Sequence, residues 1–226
     1  MNEQVPFTSS YFDVQLAENP EPRCPCLLLL DTSLSMKGEP MRELNEALML
    51  FKDELMADAM SAKRVEIAVV TFGPVRIPID FVTADLFHPP LLVAEGDTPL
   101  GAATVEGIKL LQARKQHLRA NGIDLYRPWI FLITDGGPTD DWQNLRAIIK
   151  EGEDKNHFVF FSLGVKDANF EILEQISNRN QPIKLREVRF RNFFRWLSDS
   201  LKTRSNSAPG DRIALPDYKP YGWAEG

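Results

Sequence analysis

In the segment CLLLLDTSLS, residues 26–35, an apolar run ends in Asp31, and Ser33 and Ser35 follow on alternate positions. One carboxylate and two hydroxyls at the end of a buried strand need a partner, because polar groups held away from water without one are costly. Two chemistries supply it: a bound cation, or a phosphoryl group on Asp31. Two further hard-oxygen residues stand elsewhere in the chain, Thr98 in GDTPLGAA and Asp135 in ITDGGPTD. Asp31, Ser33, Ser35, Thr98 and Asp135 include no sulfur or imidazole, and such a set suits an oxygen-seeking cation, magnesium or manganese. Magnesium keeps several waters, so a coordination position stays open. If the three hydroxyls lie in the inner shell and the aspartates act through water or hydrogen bonds, little negative charge touches the ion. It then stays electrophilic enough to take a carboxylate from another protein.

These residues need elements to position them. CLLLL has the short apolar form of a strand covered on both faces. After Pro40, apolar Leu44, Ala47, Leu48, Phe51 and Leu55 repeat with helical spacing. VEIAVVTF (65–72) and VRIPIDF (75–81) are strands joined through Gly73-Pro74 as a hairpin, which leaves the second antiparallel at an edge. Pro78 suits an edge. A long helix begins with Thr98 as N-cap and Pro99 in the first turn, and ends near Gly122. WIFLIT (129–134) is a strand running into Asp135, and the next helix is expected from about Trp142 to Lys150. Asp140 and Asp141 stand at its start, where negative charge is favourable. HFVFFSLGV (157–165) is a strand, Phe170 to Ile176 a short helical stretch, and FRNFFRWLSDSL (190–201) the last helix.

Strands separated by such helices imply an α/β fold: a doubly wound, mostly parallel sheet with one antiparallel edge strand and helices on both faces. In open sheets of this kind ligands bind at the carboxyl ends of the strands, near the point where strand order reverses. Asp31 and Asp135 both end strands at that edge. The chain divides into an N-terminal extension (1–23), one domain (24–203) and a C-terminal tail (204–226). The tail, rich in Pro, Gly and aromatics, is expected either to lie along the domain, docked by its aromatics, or to bind a partner, the first being favoured.

The three separated pieces, DTSLS, Thr98 in GDTPLGAA and Asp135 in ITDGGPTD, stand in the order of the metal-ion-dependent adhesion site of von Willebrand factor A-type domains. The resemblance covers roughly residues 24 to 200. Together with SMKGEPMRELNEAL, these pieces look most like bacterial cytosolic members of the TerY tellurite-resistance type. The resemblance implies a doubly wound sheet, a magnesium site and a noncatalytic protein-binding role in a chemical-stress system with kinase-like or phosphatase-like partners. A rival resemblance runs to haloacid-dehalogenase-type phosphatases, in which the aspartate ending the first strand attacks phosphate. Their general acid stands two residues later; position 33 is Ser, which cannot serve. Serine hydrolysis lacks a G-x-S-x-G elbow and a His placed to activate Ser33 or Ser35.

Composition narrows the classes. The 226-residue chain, 43% hydrophobic and 26% charged, has the balance of a globular protein. Its formal net charge of -6 argues against nucleic acid as the main partner. MNEQVPFTSSYFDVQ has no basic region followed by an apolar core, and no apolar run approaches the roughly 20 residues of a membrane span, so a cytoplasmic protein is expected. Cys24 and Cys26 are expected as free thiols, and His88, His117 and His157 have no metal-pair spacing. KLREVRFRNFFRWL interleaves Lys184, Arg186, Arg189, Arg191 and Arg195 with aromatics. Its period is that of a helix with aromatics on the sheet and arginines in water.

Overall fold

The computed structural model describes residue 16, residues 18–185, residues 188–211 and residues 214–224. Six strands form one sheet in the order β3-β2-β1-β4-β5-β6. They are β1 (Cys24–Asp31), β2 (Val65–Phe72), β3 (Arg76–Thr83), β4 (Trp129–Thr134), β5 (Val159–Val165) and β6 (Ile183–Leu185). Every pairing is parallel except β2 with β3, so the hairpin through Gly73-Pro74 makes β3 an antiparallel edge. The helices are α1 (Glu39–Met56), α2 (Ala59–Arg64), α3 (Leu100–Ala120), α4 (Leu145–Asp154), α5 (Phe170–Ile176) and α6 (Phe190–Ser205). Among the described residues no helix is long and apolar enough to cross a membrane.

All residues of β1, β2 and β4 are buried, as continuous apolar strands must be when helices cover both faces. Alternation along β1 divides the core in two. Cys24, Cys26, Leu28 and Leu30 pack with Leu44, Leu48 and Phe51 of α1 and with Phe193, Phe194 and Leu197 of α6. Leu27 and Leu29 pack on the other face with Leu100, Ala103 and Ile108 of α3 and Ile149 of α4. Each fully buried Leu or Phe stabilises the fold by about 1.5–3 kcal/mol. Both cysteines are free and buried, and burial pushes the Cys24 thiol up to about 12, so neither ionises at neutral pH.

Two short elements escaped the sequence reading, α2 and β6. Six and three residues are too few for either period to show. Helix α4 starts at Leu145 rather than Trp142, and α6 runs on to Ser205. Phe190, Phe193, Phe194 and Trp196 of α6 are buried, while Arg191 pairs with Glu43 and Glu46 of α1 and Arg195 with Glu54. Arg186 lies outside the described residues. Residues 216–224 run against α6. The Trp223 ring is buried between Phe193 and Trp196, each 5.2 Å away, and Leu185 of β6 bridges to Ala224.

The strand order reverses between β1 and β4. Their parallel register pairs Leu30 with Ile133, which brings the two strand ends, Asp31 and Thr134, side by side.

Candidate metal centre

Strand β1 ends in Asp31, and both its carboxylate oxygens are engaged. Oδ1 accepts the Ser33 backbone N–H at 2.8 Å, and Oδ2 accepts the Thr134 hydroxyl at 2.6 Å. The first of these bonds closes a turn of the kind Asp favours, bending the chain so that Ser33 and Ser35 face the same place. Their hydroxyls lie 2.8 Å apart, and Ser35 donates to Asp135 Oδ1 at 2.6 Å. Two loops 100 residues apart in the chain are thereby joined through oxygen atoms.

Thr98 arrives on a third loop, held to the first by backbone bonds. Glu95 N–H donates to the Thr32 carbonyl at 2.7 Å, and Leu34 N–H to the Gly96 carbonyl at 3.1 Å. Gly73 allows this approach. Its φ is +145°, and a Cβ there would stand 2.7 Å from Glu95 O, Ser33 N and the Thr32 carbonyl carbon. From the other side Thr98 N–H donates to Thr139 Oγ1, and Thr139 N–H to the Thr98 carbonyl. The Thr98 hydroxyl comes within 3.8 Å, and the Ser35 hydroxyl within 4.0 Å, of where a Gly136 Cβ would be. Gly136 therefore lies against both hydroxyls.

Two sequence expectations need correcting here. Thr98 is not the N-cap of α3; Pro99 holds that position, with no side-chain bond to the helix end. Asp140 does not open the following helix. It reaches across to α3, accepting Gly101 N–H at 2.9 Å and Ala102 N–H at 2.7 Å. The first amides of a helix need acceptors, and an acid from a neighbouring loop fills the role that leaves the Thr98 hydroxyl uncommitted to capping. Two partners of the site were missed. Thr134 was visible as the only polar residue of WIFLIT, whereas Thr139 carried no signal before its loop was placed.

The electrostatics set this cluster apart. Asp31 is fully buried and Asp135 nearly so, at 0% and 5% exposure. Burial pushes the Asp31 carboxyl above its ordinary range, hydrogen bonds from Ser33 and Thr134 oppose this, and the charge of Asp135 adds to it. Burial likewise raises Asp135, opposed by Ser35 and by the charge of Lys166. Among the described residues neither aspartate has a basic side chain within ion-pair distance. No trio of His, Cys, Asp or Glu gathers among the described residues. Buried carboxylates without a cationic partner, ringed by hydroxyls and free of sulfur or imidazole, have the chemistry of a hard divalent-cation site.

Comparison with known proteins agrees with the architecture. No curated protein matches the chain. Among solved structures, the pilus adhesin SpaC from Lactobacillus rhamnosus GG in its open conformation superposes with a TM-score of 0.63 at 11% identity, over 81% of this chain and 30% of that one. Proximal thread matrix protein 1 from the mussel byssus superposes at 0.54 with 15% identity, over 80% of this chain and 48% of the other. A form of the mussel protein with a zinc occupied MIDAS motif superposes at 0.52 with 14% identity over the same shares. The chain thus spans less than half the length of these proteins, and the likeness is one of fold. At the level of sequence, residues 27–195 match the von Willebrand factor type A domain, and the chain belongs to that family.

Proposed function

We propose that the chain is a noncatalytic, magnesium-dependent protein-binding module. In this reading Asp31, Ser33, Ser35, Thr98 and Asp135 hold the ion, and a partner's Asp or Glu completes its coordination. The observation that carries it is the oxygen chain Ser33–Ser35–Asp135, set beside Asp31, with neither acid in an ion pair among the described residues. A bound magnesium would supply the missing positive charge and an acceptor for one external carboxylate. The chain's own residues do the positioning: Thr134 and the Ser33 amide orient Asp31, and Ser35 orients Asp135.

A phosphatase-like role for Asp31 is disfavoured, because position 33 is Ser, which cannot serve as the general acid two residues on. The zinc occupied MIDAS motif of the mussel protein, which shares the fold, supports a divalent ion here. Motif resemblance alone supports a finer placement, in the cytoplasm and in a bacterial chemical-stress system of the tellurite-resistance type with kinase-like or phosphatase-like partners.

Thermal unfolding with magnesium and with EDTA tests the metal reading. Magnesium at about a hundred times its Kd should stabilise the wild type by about 2.7 kcal/mol, and Asp135→Ala should lose that gain. An undiminished gain in the variant would overturn the assignment.

A further inference from the structure

At the amino end of the sheet, opposite the metal centre, three cations of the chain converge on the loop that leads into β5. Lys115 Nζ, on α3, donates to the His157 carbonyl at 2.8 Å. Arg127, two residues before β4, donates to the next carbonyl, that of Phe158, through Nε at 2.9 Å and Nη2 at 2.6 Å. Arg119 stands one helical turn beyond Lys115 on the same side of α3. Arg119 is exposed and Arg127 half-buried, but Lys115 is only 7% exposed.

A lysine buried to this degree is ordinarily paired with an acid. Among the described residues, none of Lys115, Arg119 and Arg127 forms an ion pair. The acids of the neighbouring helix α4 are already engaged. Glu151 pairs with Lys155 and Asp154 with Lys150. The buried Glu153 carboxylate accepts Phe160 N–H at 3.0 Å, Asn178 Nδ2 at 3.0 Å and Arg179 N–H at 3.1 Å.

Helix-end chemistry accounts for Arg127. Its Nη2 also donates to the Glu153 carbonyl at 3.0 Å, in the last turn of α4, where a cation is favourable. It does not account for Lys115. An ammonium carries three hydrogens, and among the described residues one of them finds an acceptor. Buried donors without acceptors and a buried charge without a counter-charge are both costly. Burial, with the charges of Arg119 and Arg127, pushes Lys115 down to about 8, so the costly cation is still the main form at neutral pH.

We propose that Lys115, Arg119 and Arg127 form a second binding site, for a tetrahedral oxyanion of the phosphate class. Such an anion carries close to two negative charges at neutral pH and offers oxygens in several directions. It would accept the remaining Lys115 hydrogens together with Arg127 Nη1, which has no acceptor among the described residues, and offset the three positive charges. A carboxylate brings one charge and two oxygens. The site shares no residue with the metal centre and does not rest on the metal reading.

The test is a titration of the metal-free full chain, in EDTA, with sodium phosphate at an ionic strength held constant by chloride, following Tm. A saturable rise of about 3–6 °C is expected at about ten times the Kd, and acetate should give well under that. Lys115→Met keeps the apolar stem and removes the charge; it should weaken phosphate binding at least about tenfold. Arg119→Gln, at an exposed position, should weaken it by about threefold and tests the site whether or not Lys115→Met folds. Phenyl phosphate separates the sources: tighter binding than phosphate assigns the site to a phosphate monoester, equal or weaker binding to the free anion. No saturable rise in the wild type, an equal rise with acetate, or an affinity unchanged in either variant overturns the site.

Discussion

The two ends of the sheet bury carboxylates in opposite ways. At the amino end, fully buried Glu66 of β2 is gripped by Arg23 at 3.2 Å and by Arg114 of α3 at 2.6 and 3.0 Å. At the carboxyl end, Asp31 and Asp135 receive hydroxyl and amide hydrogens and, among the described residues, form no ion pair, although the charge of Lys166 acts on Asp135. The first arrangement is closed, since the buried carboxylate finds its cationic partners within the fold. In the second, among the described residues, neither acid has an ion-pair partner. The difference marks which buried carboxylates are scaffold and which are site, and burial alone does not: exposure is 0% for both Glu66 and Asp31.

Substitutions sharpen that contrast. The largest effect is expected for Glu66→Gln, which leaves Arg23 buried without its counter-charge and should cost about 3–5 kcal/mol in denaturant unfolding. Its magnesium-linked gain should match the wild type; a mild loss of stability would remove the distinction between the two ends. Asp31→Asn should do the reverse. Removing an uncompensated buried charge should change metal-free stability by less than about 1 kcal/mol, while the magnesium-linked gain of about 2.7 kcal/mol disappears. A metal-free loss as large as that of Glu66→Gln would show that Asp31 is structural.

The smallest effect is one of pH. Asp31 and Asp135 both have folded-state values raised above the ordinary carboxylate range, chiefly by burial. Their contribution to stability is therefore fully present below the unfolded value and is lost as pH rises through the folded value. Without metal, acidification from neutral pH into that window should narrow the stability difference that separates wild type from Asp31→Asn. With magnesium the sign reverses, because the ion needs the carboxylates charged. The magnesium-linked gain should be full near neutral pH and shrink as pH falls through the raised values. A gain independent of pH across that range would place the ion elsewhere.

Much of this was legible in the chain. Continuous apolar runs exposed β1, β2 and β4, and Gly73-Pro74 with Pro78 marked the antiparallel edge. The reading failed where the deciding contact is remote in sequence. Thr98 before Pro99 has every local mark of an N-cap, yet Asp140, about 40 residues on, takes the amides of α3. Asp140 itself, beside Asp141 and just ahead of a helix, was read as belonging to that helix for the same reason. The strand β6 is too short to show alternation, and it pairs only because β5 offers an open edge.

Residue types and their order by themselves determined that hard oxygens end two buried strands, since period and polarity are local properties. Whether those oxygens meet depends on strand order and register, which are settled by packing both faces of the sheet at once. Tertiary structure alone decided that Thr134 and the Ser33 amide hold Asp31, that Ser35 reaches Asp135, and that, among the described residues, no basic side chain forms an ion pair with either acid. It also turned Leu92 inward and left Leu91 and Val93 exposed, because the Asn45 clamp on Leu92 is a contact between elements far apart in the chain.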